Sequence, residues 1–585
     1  MNFSNDRWGS IAPRRSANVP LVGKRLVRAL LATALATGTA QAQGTTAIVS
    51  RSSHGLVGNG DSGFPSLSSD GRYIAFHSDA WQLVPGDTNY VRDVFVLDRS
   101  TGVVERVSVT SAGGQVFADS DGAAISADGR FVGFQSLAND LAGGTAGTWD
   151  VFVHDRTTGT TELVSVASNG TPADDYAYVA SLSADGRFVG FESAATNLDP
   201  AATATLNVYR RDRLLGVTQT VNAFANGACG GGWISGDGNR VCFASIASNL
   251  VAGDTNGRWD VFVRDFQTGT IERASVSLTG GNPDADSDGF VRISLDGRFV
   301  SFTSEATNLV AGFTTGNMDV YLRDLAADTT QLVSVAFDGG TSNGANYESA
   351  VSADGRRVAF QSQASNILSG VAGGVFVRDM SSGVTRLASC ASDGTPGNNG
   401  SWSPALSGDG RYAGFCSVSS NLVEPDTYQL AQVYVHDLEG CEPIVAETCQ
   451  GGTTSHGCAP LLGASGTPSG SAGSGFVLTA NGLEGGRSAL VFYALGGGKP
   501  TPWGNTFRCT SGTTQRAVVT HTGGTPGACD GTVSFDWNQY VATHPSALGA
   551  PFGGGETVSV QVWFRDPSAP LASNLSSSVW FDVCP

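Results

Sequence analysis

Two stretches of this chain place oxygen side chains at alternating loop positions: Asp87-x-Asn89-x-x-x-Asp93 and Asp254-x-Asn256-x-x-x-Asp260, each opened by Gly-Asp-Thr-Asn. Hard oxygen donors so spaced can gather around Ca²⁺, the one cofactor these residues point to. The alternative is a turn in which Asp and Asn bond their own backbone. A third run, Asp284-x-Asp286-x-Asp288-Gly289, opens like an EF-hand loop, but its twelfth position is Leu295 and its flanks read as strands, so a solvated loop is expected. Aromatic residues occur in the same kind of segment. Trp149, Asp174, Asp175, Tyr176, Tyr178, Trp259, Asp286, Asp288 and Trp402 form a candidate ligand surface, joined by Asp119, Asp121 and Asp284. Aromatics beside carboxylates suit a sugar or a peptide; packing of a loop rim is the alternative.

Catalytic signatures are missing. The chain has no Gly-x-Ser-x-Gly, no His-Glu-x-x-His and no phosphate-binding Gly-Lys-Ser/Thr. Its lysines are Lys24 and Lys499. His154 and His436 occupy one repeat position where other copies have Leu97, Arg210 or Arg264, which predicts an exposed strand site. The expectation is therefore a non-enzymatic protein, although carboxylates meeting across elements could still cleave glycosides.

The elements that must hold these residues repeat. Asp-Gly recurs at Asp70, Asp128, Asp185, Asp237, Asp296, Asp354 and Asp409, each time between short alternating strands. Such a dipeptide between two strands is a hairpin signal, because tight turns need positive φ. The second strand ends on phenylalanine two residues beyond a hydrophobic one (Tyr73-Ile74-Ala75-Phe76), with a small residue just before it that admits a close neighbour. A third strand, Asp93-Val94-Phe95-Val96-Leu97-Asp98, closes on an aspartate expected to bond a turn backbone. A fourth follows, as in Thr161–Val166. Seven units of four antiparallel strands predict a seven-bladed β-propeller. Thr45–Ser50 matches a fourth strand and should close the ring in preference to the proline-containing Cys441–Val445.

Ser-x-Asp-Gly-Arg-x-x-x-Phe followed by Asp-Val-Phe-Val-x-Asp resembles the WD40-like (PD40) repeats of the TolB-type β-propeller family, over about residues 45–445. The resemblance implies an interaction platform. The chain departs from TolB in lacking an N-terminal α/β domain and in adding a C-terminal β domain. Its expected organisation is a signal peptide at 1–42, the propeller at 43–445, a Gly/Ser/Thr/Pro-rich linker at 446–470 and a small β-sandwich at 471–585. The Trp563-Phe564-Arg565-Asp566-Pro567 segment resembles β-sandwich domains of secreted bacterial proteins.

Lys24, Arg25 and Arg28 before an apolar run and Ala40-Gln41-Ala42 predict export, to the periplasm or beyond. Ten cysteines fit an oxidising compartment, with Cys509–Cys529 and Cys229–Cys242 as plausible pairs flanking hairpins. A net charge of −18 disfavours nucleic acid, and no later apolar run is long enough to span a bilayer. A monomer binding a protein or carbohydrate through its loop-rich face is expected. A polysaccharide hydrolase or lyase, or a calcium-stabilised surface protein, are the rivals.

Overall fold

The computed structural model describes residues 44–585 apart from 146, 288–289, 313–315, 424–429, 439–444, 450–451, 467, 470–473, 497–500, 504–505, 511–512, 551, 553–556, 570 and 584–585. The signal-peptide reading at 1–42 falls outside them.

Seven four-stranded antiparallel sheets follow one another along the chain. The first blade is Ser62–Leu67, Tyr73–Ser78, Asp93–Asp98 and Val103–Arg106, paired in that order. The first strands of successive blades touch one another round the ring, so they line its axis. In the seventh sheet the fourth place is taken by Thr46–Ile48, which pairs antiparallel with Gln432–Asp437. The ring is closed by the N-terminal strand, as the sequence predicts.

Local chemistry explains each unit. In the Ser-x-Asp-Gly-Arg turn, Ser68 Oγ donates to Asp70 Oδ1 (2.7 Å), which also accepts from Arg72 N (2.9 Å). Gly71 has φ +68°, and a Cβ there would collide with the Tyr412 ring of the neighbouring blade, so glycine is required twice over. Arg72 then grips Asp98, the closing residue of the third strand, through Nε (3.0 Å) and Nη2 (2.7 Å). The same fork recurs at Arg130–Asp155, Arg187–Asp212, Arg298–Asp324 and Arg411–Asp437. Asp98 also accepts from Ser100 N (2.9 Å), the turn bond expected of it.

The blades are packed on aromatics. Phenylalanine of the second strand stacks on the aromatic of the third in all seven, from Phe76–Phe95 (5.9 Å) to Phe415–Tyr434 (5.6 Å). These rings are buried, and each contributes about 1.5–3 kcal/mol of burial. The small residue on the other face does admit a close neighbour: a Cβ on Gly414 would strike Leu67 of the first blade.

Beyond the ring lies a β-sandwich. A five-stranded sheet orders Val445–Cys449, Ser573–Asp582, Thr557–Arg565, Ser488–Leu495 and Thr514–His521. Its partner sheet holds Leu461–Ser465, Val477–Leu483 and Gly531–Asp536. Phe476, Tyr493, Phe535, Trp537, Phe564 and Phe581 share the core between them. The stretch expected as a linker at 446–470 thus contributes a strand to each sheet. One short helix, Trp537–Thr543, is capped by Asp536, which accepts from Gln539 N (3.0 Å).

Both expected cysteine pairs are corrected. Cys529 bonds to Cys458, not to Cys509. Cys229 and Cys242 are free and buried; Cys229 instead donates to Ser245 Oγ (3.0 Å). Two cysteines behave here as small core residues, which sequence spacing does not distinguish from a bridge.

Candidate functional site

Loops joining second to third strands and fourth to first strands share one face, where they hydrogen-bond to each other. Asp174, between blades two and three, accepts from Thr196 N and Thr196 Oγ1 (both 2.7 Å), while its own N–H donates to Asn197 (3.2 Å). Asp284, Asn226, Asn343 and Asn398 repeat this clamp against Thr307, Ser248, Ser365 and Ser420. The Thr196 contact holds the Asp174 carboxyl below its ordinary range. Asp286 accepts from Trp259 N (3.0 Å) and faces Arg258 (3.8 Å), and Asp175 accepts from Tyr176 N (2.8 Å). These predicted ligand carboxylates are thus engaged in fastening loops. Asp288 lies outside the described residues.

The expected calcium loops are corrected by an arginine. Asp87 and Asp93 come together, but Arg106 Nη1 stands between them, 3.1 Å from Asp87 Oδ1 and 3.2 Å from Asp93 Oδ2. Asn89 turns its NH₂ toward Asp93 (2.9 Å) and the Val116 carbonyl (2.8 Å), not its oxygen toward a cation. The second copy matches: Arg273 faces Asp254 (3.8 Å) and Asp260 (3.6 Å), with Asn256 on Asp260 (3.0 Å). A guanidinium already occupies the place of a cation between each acid pair, and the donor set does not fit Ca²⁺. Burial first, then the neighbouring Asp93, raises the Asp87 carboxyl, with Arg106 opposing them.

The predicted aromatics separate. Trp149, Tyr176 and Tyr178 do assemble, with Tyr176–Tyr178 at 5.2 Å and Trp149–Tyr178 at 6.5 Å. Tyr178 pairs across the blade with Glu192, whose Oε2 accepts from Gly231 N (2.8 Å). Burial, then Glu192, raises the Tyr176 hydroxyl. Trp259 packs against a different interblade core, and Trp402 against the closing blade's. All five are half-buried.

His154 and His436, expected on an exposed strand site, are buried. Each ring Nδ1 meets a fourth-strand threonine, Thr161 (2.9 Å) and Thr46 (2.8 Å), which covers that face of the third strand.

Sequence reasoning missed two groups of residues. The first follows from bulges: six of the first strands slip register by one residue opposite the stacked phenylalanine. The slip re-aims side chains, and Phe64 (φ +49°), Glu348 (+33°) and Ser403 (+50°) are held there in the left-handed region. Beside Phe64, His77 pairs with Asp121, which Arg92 also holds (3.1 Å) while forking onto Asp79 (2.9 and 3.2 Å). The second group is exposed: Trp81 (49 %), Tyr90 (77 %) and Phe117 (72 %). Trp81 and Tyr90 lie 6.4 Å apart, and the Asn89–Val116 bond brings Phe117's segment to Tyr90's. The signal for Tyr90 was available, since the other Gly-Asp-Thr-Asn copy has Gly257 in its place, at φ +61°.

No family model matches the chain, and no curated protein does. Solved structures are similar at low identity. An oligogalacturonate lyase from Vibrio parahaemolyticus is 12% identical, with 65% of this chain and 91% of that one covered and a TM-score of 0.40. A putative TolB from Agrobacterium tumefaciens is 15% identical over 57% and 93%, with a TM-score of 0.32. A prolyl endopeptidase is 12% identical over 72% of this chain and about half, 54%, of that one, with a TM-score of 0.40. The likeness concerns the β-propeller fold alone.

Proposed function

We propose that this chain is an exported, non-enzymatic binding platform of the TolB-like, PD40 kind, and that it holds a carbohydrate chain on the loop-rich face of blades one and two. The observation that carries this reading is Tyr90. Its φ is +56°, a conformation that favours glycine, and its side chain is spread into solvent with the Trp81 ring 6.4 Å away. A non-glycine residue held there costs about 1 kcal/mol or more while its side chain stays largely in solvent, which argues for a use outside the fold. Two flat aromatic faces next to the Asp79–Arg92 pair offer stacking for sugar rings and both donors and acceptors for their hydroxyls. Screening mature protein on a glycan array tests it. Binding should fall at least about ten-fold in Trp81→Ala and Tyr90→Ala, as expected for anchors worth about 1.4 kcal/mol or more. Binding to proteins alone would replace the carbohydrate with a peptide ligand.

A second reading, cleavage of a polysaccharide, is favoured by the His77–Asp121 pair beside the ring axis. Release of new sugar ends from a polysaccharide panel, lost in His77→Gln, would establish it in place of simple binding.

A further inference from the structure

On the first strands of blades four to seven, away from the Trp81–Tyr90 surface, a second polar group lines the ring axis. Arg292 stands where five other blades carry only serine or alanine in the same register. Its guanidinium lies 3.6 Å over the ring of Trp233, which occupies that register in blade four. Among the described residues its one hydrogen bond runs from Nη1 to the carbonyl of its own neighbour Val291 (3.0 Å), and its charge faces the Glu348 carboxyl without a direct ion pair. Stacking fixes the guanidinium plane and leaves its remaining N–H edge directed sideways, the geometry that accepts a planar oxyanion.

The first strands of the next two blades are polar as well. Glu348 sits on the bulge of blade six with φ +33°. A non-glycine residue in that region marks a position that the surroundings over-determine. Burial raises its carboxyl, with Arg292 opposing. Beside it, Ser403 is buried at φ +50°, with its hydroxyl and backbone N–H set against the Glu348 carboxyl. Arg292, Trp233 and Glu348 are each only half-buried, so the group is reachable from the axis.

We propose that this group is a binding site for a small carboxylate-bearing molecule, whose carboxylate is taken by Arg292 on its Trp233 platform and whose body hydrogen-bonds to Glu348 and Ser403. While Glu348 is protonated, the form that its burial favours, one arginine is left to match one negative charge of a ligand. A phosphate dianion would leave charge unpaired beside Glu348 in a protein of net charge −18, which disfavours it. The shared chemistry is a carboxylate next to hydroxyl or amide groups, from an acidic sugar or a peptide-like acid. The site uses none of the residues of the proposed glycan surface, so either can fail alone.

The test uses the full chain and calorimetric titration with two matched pairs: glucuronate against glucose, and N-acetylglycine against its amide. The acid of one pair should saturate the protein while its neutral partner binds at least about ten-fold more weakly, as a charge-assisted fork requires; the pair that does so identifies the source. Arg292→Gln should abolish the preference. Arg292→Lys keeps the charge for folding but not the fork and should weaken the acid about ten-fold. Glu348→Gln should keep the preference but lose the decline in affinity as rising pH ionises the glutamate. Failure of both acids to bind wild type up to about 10 mM, or wild-type binding by both arginine variants, would overturn the proposal.

Discussion

Arg106 and Arg273 change the meaning of the acidic loops at the residue scale. In the first and fourth blades the fourth strand ends in arginine opposite Phe95 and Phe262; the equivalent partners elsewhere are Leu163, Thr220, Leu332 and Leu387. The two copies with paired acids are the two that carry the arginine, so each acid pair shares one guanidinium within its blade. Removing the arginine leaves two buried carboxylates unpaired. Arg106→Ala should therefore cost about 3–5 kcal/mol in denaturant unfolding, whereas calcium or chelator should leave wild-type melting unchanged. A melting temperature raised by calcium would restore the metal reading. Tyr90 gives the opposite test. Tyr90→Gly should hold or raise stability by about 1 kcal/mol, since it relieves the positive φ, while losing glycan binding; lost stability would show that the ring packs rather than presents itself.

At the scale of elements, ring closure rests on the three-residue strand Thr46–Ile48. His436 lies at that seam, bonded to Thr46 and pushed down to about 4 by burial and then by Arg386. The neutral ring is the form the fold accepts. Its contribution is complete above the ordinary histidine range near pH 6.5 and is lost as pH falls toward 4, where both folded and unfolded states are charged. The cost of acidification is about 3 kcal/mol from this group, and burial lowers His154 in the same direction. Melting followed from pH 7 to 4 should fall along that window, and His436→Leu, the residue type found at position 97, should flatten the fall. A profile unchanged by the substitution would remove His436 as its cause. Below pH 4 the Arg–Asp forks follow. The Asp98 carboxyl, desolvated but held by Arg72, lies at about 2, so its contribution is present above pH 4 and lost toward 2. These forks are half-exposed, and each is worth little by itself.

For the molecule as a whole, the sandwich braces the seam. Trp580 is fully buried, with the Arg51 guanidinium 3.9 Å above its ring and Ala47 of the closing strand packed against it. A side chain of this size lost from such a position costs about 3–5 kcal/mol. Trp580→Ala should show that loss in the ring as well as in the sandwich, as faster hydrogen exchange over Thr46–Ile48 and Gln432–Asp437. Exchange confined to 445–583 would mean the two parts are independent. No helix among the described residues is long and apolar enough to cross a membrane.

The sequence by itself determined the repeat, the seven blades, the strand that closes them and the role of Asp-Gly-Arg as a turn, because the strand and turn signals of each unit are local and recur in phase along the chain. Alternation, a positive-φ glycine and a carboxylate two residues from the N–H it accepts are local physics. What only the tertiary structure decided is where charges end up. Arg106 is distant in sequence from Asp87, Arg292 from Trp233, and His436 from Thr46; these pairs form only when strands or blades are laid side by side. The bulges that aim Glu348 and Ser403 toward the axis are one residue out of period, so alternation places those side chains on the wrong face. Cys229 and Cys458 show the same limit, since a thiol's partner depends on Cα separations that spacing does not contain.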